Sequence, residues 1–487
     1  MFTSAFLAEV FYLYYSLHEI ILYVCFMKEG YKNLSNNEIK KTTTKDMTEG
    51  PIAKEILLFA LPLIFGNVFQ MLYNTVDSIV VGKFVSTQAL AAVGATTMVT
   101  NMAVFFFNGF SIGAGVVIGR HFGARDLSNL HKAIETTIAV TFIMCAIFTT
   151  AGVLGVHGIL TFMATPDDVM KDASTYLRIY FAGVSGLLIY NMGSGILRAV
   201  GDTTRPLYFL ILTSVLNIAL DLIFVLVFKM GIAGAAFATV ISELISAFLT
   251  MLLLIKTDDI YKFTFKDMKI DSGVLKQILV IGFPTGIQSI ITSFSNVFVQ
   301  SYVNYFGSTV MAGWAAYNKL DQFVMLPMQS MAMASTTFVS QNVGAGNIKR
   351  SNAGTKVCIL MSLAITFGLD TVIFIFAPFA AGLFTNDKAV VAAAVDFLRV
   401  ILYFTLFNCV NHVLAGALRG RGDSIGPMIA MLSCFVGLRQ IYLFVVTHFI
   451  INIPVVVGFG YPVGWMTCCL VESIYFFIRW NRKETIQ

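Results

Sequence analysis

Two carboxylates stand inside apolar runs long enough to cross a bilayer. Asp77 lies in LPLIFGNVFQMLYNTVDSIVVG and Asp221 in LYFLILTSVLNIALDLIFVLVF. An ionisable side chain at membrane depth is costly unless it faces a cavity or a partner, so each marks a functional position. Asn217 sits four residues before Asp221 and shares its helix face. At a rise of ~1.5 Å per residue, Asp77 stands roughly 9 Å of helix before Lys83, Asp221 roughly 12 Å before Lys229, and Thr239 roughly 12 Å after Gly231. These side chains therefore share a depth, with Asn217 one turn further in. Hard oxygen ligands from several helices suit a proton or Na+ site. Two carboxylates held close favour sharing a proton. Simpler readings compete: Thr239 bonding its own backbone, Asn217 joining two helices, Asp77 reaching water at a helix end.

The elements that must position these groups are membrane helices. The chain has 487 residues, 57% hydrophobic and 12% charged, with a mean hydropathy of +0.79. A span needs about 20 apolar residues, and twelve candidates follow residue 52. Their centres are near Phe69, Ala103, Phe142, Leu188, Val215, Ile241, Ile290, Val324, Ile365, Leu402, Phe435 and Leu470. The expected fold class is all-α integral membrane. Alternate turns are basic, as at Arg120, Arg125 and Lys132, at Arg198 and Arg205, at Lys256–Lys276, at Lys349 and Arg350, and at Arg419 and Arg421. The other turns are nearly bare. Lys/Arg excess marks cytoplasmic loops, which puts both termini inside. Residues 1–46 hold Glu9, His18 and Glu19 in an apolar stretch followed by a polar one. They read as an N-terminal appendage, a mis-assigned start, with the chain beginning at Met47.

The two halves repeat one another. FALPLIFGNVFQ is answered by IGFPTGIQSIIT, GRHFGARDLSN by SQNVGAGNIKRSN, and ILRAVGDTTRP by ALRGRGDSIGP. The expected division is a first lobe at 47–255, a cytoplasmic linker at 256–276 and a second lobe at 277–487. Parallel six-helix repeats relate by an axis along the membrane normal and bind cargo between the halves. The Gly-Asp turns read as helix stops, Gly at C′ with Pro shortly after. The second half lacks the acid pair. Its leading helix carries Gln288, Ser289 and Ser293, and the counterpart of Asn217–Asp221 carries Arg439, Gln440 and Tyr442. Asp321 is expected to pair with Arg439; Lys319 and Glu472 are further mid-span charges.

Other classes fit poorly. The six His show no HExxH motif, and there is no CxxC or nucleophile elbow, so the chain is not expected to be an enzyme. No basic patch with aromatics suggests nucleic acid, no selectivity-filter signature suggests a channel, and cysteines inside apolar runs read as buried thiols. A flippase for lipid-linked oligosaccharides would set several Arg or Lys inside its cavity, whereas the mid-span cations here are Lys319 and Arg439. The Phe105–Phe107 run and the Met of MLPMQSMAMA suit an adaptable wall for planar cations, or plain helix packing.

The opening MTEGPIAKEILLFALPLIFGN, MLYNTVDSIVVG, GRHFGA, VSQNVGAG, LRAVGDTTRP and LNIALDLIF followed by GIAGAAFATVIS resemble the multidrug and toxic compound extrusion (MATE) family over about residues 47–482, most closely its bacterial DinF-like branch. The resemblance implies two pseudo-symmetric six-helix bundles in a V-shaped MATE/MOP-type fold, exporting drugs or metabolites in exchange for H+ or Na+. It implies a cation site in the first lobe at Asp77, Asn217, Asp221 and Thr239, which would be the metal ligands if Na+ is the ion. Polar cavity residues match Gln70, Tyr73 and Asn191, and Gln288 joins them from its place on the seventh span. No cofactor is expected beyond the coupling ion. The partners expected are small molecules and the lipid bilayer, and the expected state is a monomer in the bacterial plasma membrane.

Overall fold

The computed structural model of the chain describes residues 45–163 and 165–481; the appendage expected at 1–46 lies almost wholly outside them. The described part is one compact unit of twelve long helical segments. They are α1 (Ile52–Phe84), α2 (Thr87–Gly123), α3 (Leu127–Phe162), α4 (Asp167–Ala199), α5 (Thr204–Val227), α6 (Ile232–Lys256), α7 (Ser272–Asn304), α8 (Ser308–Gly344), α9 (Ile348–Ile375), α10 (Lys388–Gly420), α11 (Ile425–Phe449) and α12 (Pro454–Arg479). Eleven are long and apolar enough to cross a membrane. The exception, α8, carries Lys319, Asp321, Gln322 and Gln329. It packs against α1, α2, α9 and α10 and is largely buried among them, so it need not be uniformly apolar.

Local chemistry sets the turns, and the two halves use the same devices. After α2, Arg125 adopts a left-handed conformation at φ 56° and Asp126 caps α3 by accepting from Asn129 N at 3.1 Å. After α8, Gly346 takes φ 72° and Asn347 caps α9 by accepting from Arg350 N at 3.1 Å. Gly201 and Gly422 end α4 and α10 at φ 86° and 83°, values that favour glycine. Asp202 then accepts from Arg205 N at 3.1 Å, and Asp423 from Gly426 N at 3.0 Å. Both α5 and α11 contain a π-helical stretch, at Ile223–Val227 and Leu432–Leu438. Such stretches recur at functional sites.

One large apolar core runs through α2–α6 and the first turns of α7, and a second through α7–α12. A third joins the halves: Met47, Ile56, Phe59 and Ala60 pack with Met331, Ala334, Phe338 and Cys358. Residues 257–271 are not a loose tether. Tyr261 and Phe263 are buried in the first core, and Arg205 hydrogen-bonds the Tyr261 hydroxyl.

The basic end is tightly clasped. A Cβ added at Gly123 would collide with the backbone at Gln341, and one at Gly344 with the backbone at Arg120. The segment before α1 is laced across this junction. Met47 N donates to Gln341 Oε1 at 3.0 Å, Arg350 Nη2 donates to the Glu49 carbonyl at 2.6 Å, and Arg125 pairs with Glu49 at 3.0 Å. Gln341 Nε2 in turn donates to the Ala199 carbonyl at 2.8 Å.

Candidate functional site

The polar groups of the first lobe sit on α1, α4, α5 and α6. Asp221 is fully buried and Asn217 nearly so, while Asp77 is half-buried. Both Asp221 carboxylate oxygens, both Asn217 amide atoms and Asp77 Oδ1 are buried without a hydrogen-bond partner. Buried polar atoms are almost always paired, so this concentration of unsatisfied donors and acceptors is unusual. Asp77 and Asp221 stand on separate helices, α1 and α5, which pack against one another.

Thr239 is half-buried and donates its hydroxyl to the Ala235 carbonyl at 3.1 Å. That is the simpler of the two readings for its proton. Its oxygen keeps lone pairs for a cation. Ser214 Oγ on α5 and Ser242 Oγ on α6 are further buried, unpartnered oxygens. Thr213 and Ser246 join the same two helices through a 2.9 Å hydrogen bond.

The sequence reading missed Glu243. It lies one turn after Thr239 on the same face of α6, and its Oε2 is buried without a partner. Its charge acts on Tyr73 of α1 and on Tyr176 and Tyr180 of α4, and Tyr176 also feels Asp77 and Asp221. The rings of Tyr176 and Tyr180 are nearly parallel, with centroids 6.4 Å apart. The signal was available: an acid inside an apolar span, four residues from a residue already singled out. Close approach of α4 and α6 allows this grouping, since a Cβ at Gly186 would meet the Glu243 and Leu244 backbone at 2.7–2.8 Å.

The expected cavity residues divide. Gln70 reaches the Tyr73 hydroxyl, and both are half-buried on α1. Asn191 spends its amide on its own helix, donating to the Leu187 carbonyl at 2.9 Å. Gln288 is in the other lobe and buried, accepting from Arg419 Nη2 at 3.1 Å and lying 2.6 Å from Met431 Sδ. It ties α7 to α10 and α11. Arg439 does not pair with Asp321: it donates to Ser295 Oγ at 2.7 Å and Asn296 Oδ1 at 2.9 Å and lies over the Tyr461 ring at 4.6 Å. Neutral partners on α7 reach the guanidinium where the acid on α8 does not. Asp321 accepts from the Tyr317 hydroxyl at 3.4 Å.

Among the described residues no group of three or more His, Cys, Asp or Glu is arranged to hold a metal ion. The described cysteines are free, and all but the half-buried Cys469 are buried. The donor set of Asp77, Asn217, Asp221 and Thr239 consists of hard oxygens, which suits H+ or an alkali cation and not a thiolate-loving metal.

Comparison with known proteins agrees with this architecture. The MatE family model matches twice, at residues 62–223 and 284–445, the two halves of the repeat. The chain is 27% identical to the Bacillus subtilis "Probable multidrug resistance protein YoeA", covering 91% of this chain and 97% of that one. It is 28% identical to "Probable multidrug resistance protein YpnP" of the same organism, covering 91% and 98%. A solved structure described as the outward-facing conformation of a multidrug resistance MATE family transporter of the MOP superfamily superposes with a TM-score of 0.85. It shares 24% identity over 91% of this chain and 99% of that one. A family match repeated in both halves, on a polytopic helical body, places this chain in the MatE family of membrane transporters.

Proposed function

We propose that the chain is a secondary multidrug exporter of the bacterial plasma membrane, with both termini cytoplasmic, that trades H+ or Na+ for amphipathic, cationic cargo by alternating access. One observation carries the reading: Asp77 and Asp221 come from different helices of one lobe, feel each other's charge, and leave buried oxygens unpartnered. An H+ or Na+ entering this cluster offsets one negative charge of the carboxylate pair. Asn217 supplies an amide oxygen from the Asp221 face, and Thr239 a hydroxyl oxygen from α6. Ion binding can bias the two states of the transporter only by its differential affinity for them. That bias acts at the π-helical stretch that begins two residues after Asp221, where the regular ladder of α5 is loosened.

Cargo would meet Gln70, Tyr73 and Glu243. A carboxylate beside Tyr73, Tyr176 and Tyr180 favours a planar cation by charge and by ring faces. The flippase reading has less support: Arg439 and Arg419 are engaged by side chains of their own lobe. The test is ethidium efflux from proteoliposomes with pH and sodium gradients imposed separately. Gradient-driven efflux is expected from the wild type and its loss from Asp77→Asn and Asp221→Asn. Unchanged efflux in both variants would sink the scheme.

A further inference from the structure

The second lobe contains a buried polar ladder that the coupling scheme above does not use. Ser362, Thr366 and Asp370 recur every four residues on α9, so they line one face, and all three are buried to within 1%. Two groups of α10 meet that face. Cys409 Sγ lies 2.9 Å from Ser362 Oγ, and Thr405 Oγ1 lies 2.6 Å from Asp370 Oδ2. Between these contacts, Thr366 Oγ1 is buried without a hydrogen-bond partner, and so is Asp370 Oδ1.

The Thr405 hydroxyl decides the state of Asp370. Its oxygen is 2.6 Å from Asp370 Oδ2 and also 2.6 Å from the Leu402 carbonyl. A hydroxyl has one hydrogen, and an ionised carboxylate and a carbonyl only accept. Each of the two short contacts has a hydrogen of its own when the carboxyl is protonated. Thr405 donates to the Leu402 carbonyl, and a proton on Asp370 Oδ2 is donated to Thr405. The surroundings agree. No Lys, Arg or His lies within 4 Å of Asp370 among the described residues. An ionised carboxylate buried without a cation is costly, and a carboxylic acid far less so.

We propose that Asp370 is a proton-binding site of the second lobe, separate from the Asp77/Asp221 cluster, with Thr405 as the acceptor of its hydrogen bond. The titratable groups that face it are Asp321 and Tyr317 from α8 and Cys409 from α10; the α1 contact with α9 lies far along the helix, at Cys358. Asp321 is half-buried and hydrogen-bonded by Tyr317, so it is the more accessible acid of the two. Binding is simple association: H+ adds to Oδ2 and leaves from it, with no other bond changed.

Potentiometric titration and infrared difference spectroscopy of the purified full chain in nanodiscs test this. Asp370→Asn copies the shape and donor of the neutral acid, so it should fold with the wild-type melting profile. It should take up about one proton fewer per molecule on acidification and lose one protonated-carboxyl stretching band. Thr405→Val should shift that band to higher frequency and keep it. Asp77→Asn/Asp221→Asn should also keep it, which separates this result from the fate of the first-lobe scheme. Proton uptake and bands unchanged in Asp370→Asn would overturn the proposal. So would removal of the band by sodium chloride at fixed pH, which would make the ligand Na+. An Asp370→Asn protein that cannot fold while Thr405→Val does would also count against a neutral acid.

Discussion

The two lobes repeat the same turns and caps but fill their interiors differently. In the register of the FALP and IGFP segments Asp77 stands opposite Val299, and in the register of the Gly-Asp turns Asp221 stands opposite Tyr442. Val299 is fully buried in the second apolar core, and Tyr442 packs half-buried against it. The first lobe therefore places carboxylates where the second places a valine and a tyrosine. The second lobe has its own buried ionisable groups. Arg439, Arg419 and Asp370 each reach side chains, Ser295 and Asn296, Gln288, and Thr405, while both Glu472 carboxylate oxygens have no hydrogen-bond partner. In the first lobe both Asp221 oxygens and Asp77 Oδ1 have none. A duplicated scaffold thus holds Arg439, Arg419 and Asp370 by side-chain contacts in one lobe and leaves Asp221 without one in the other. Unsatisfied buried oxygen is costly in a stable fold, and it is what a small cation can satisfy.

This contrast can be broken most directly at its strong side. Asp221→Asn should lower gradient-driven ethidium efflux by about 100-fold or more, since the loss removes a charge made to bind the driving ion. Arg439→Gln should leave ion dependence intact and lower the melting temperature, because removing one partner of a buried network costs roughly 1–3 kcal/mol. A reversed outcome, with Arg439→Gln abolishing ion dependence, would mean that the lobes share the coupling role.

Next in size is the clasp that both lobes build together. Gly123→Ala should reduce transport about 30-fold, as a Cβ cannot enter against the Gln341 backbone without shifting a helix. Equal loss is expected for Gly344→Ala, by the symmetry of the contact. Steady-state efflux by each variant checks this, and a wild-type rate for either would show that the clasp is dispensable.

Smaller effects sharpen the assignment of cargo to the first lobe. Glu243→Gln should weaken binding of a cationic dye by about tenfold, the equivalent of ~1.4 kcal/mol, with little change for a neutral analogue. Equilibrium dye binding reads both. Asn191→Ala should change efflux by less than about twofold, because its amide is already committed to the Leu187 carbonyl.

Much of this was legible in the linear chain. Apolar runs, the alternation of basic and bare turns and the repeated Gly-Asp motifs are local properties, and they specify helices, their number and the doubling of the fold. The buried acids Asp77 and Asp221 stood out because charge inside a span is rare. Glu243 and Asp370 obey the same rule, but nothing in the linear chain says which helix each of them faces. Gln288 and Arg439 went the other way: their polarity was visible, but not whether the partner would be cargo, a carboxylate or a neighbouring helix.

The sequence by itself determined the class, the helical spans and the turns, because rise per residue and hydropathy act along one dimension. Only the tertiary structure decided which groups meet. Rotation of each helix about its axis sets Thr239 against its own backbone, turns Glu243 toward three tyrosines and lays Asp370 on Thr405. Those rotations follow from close packing among twelve helices, a property of all of them jointly that no one segment encodes.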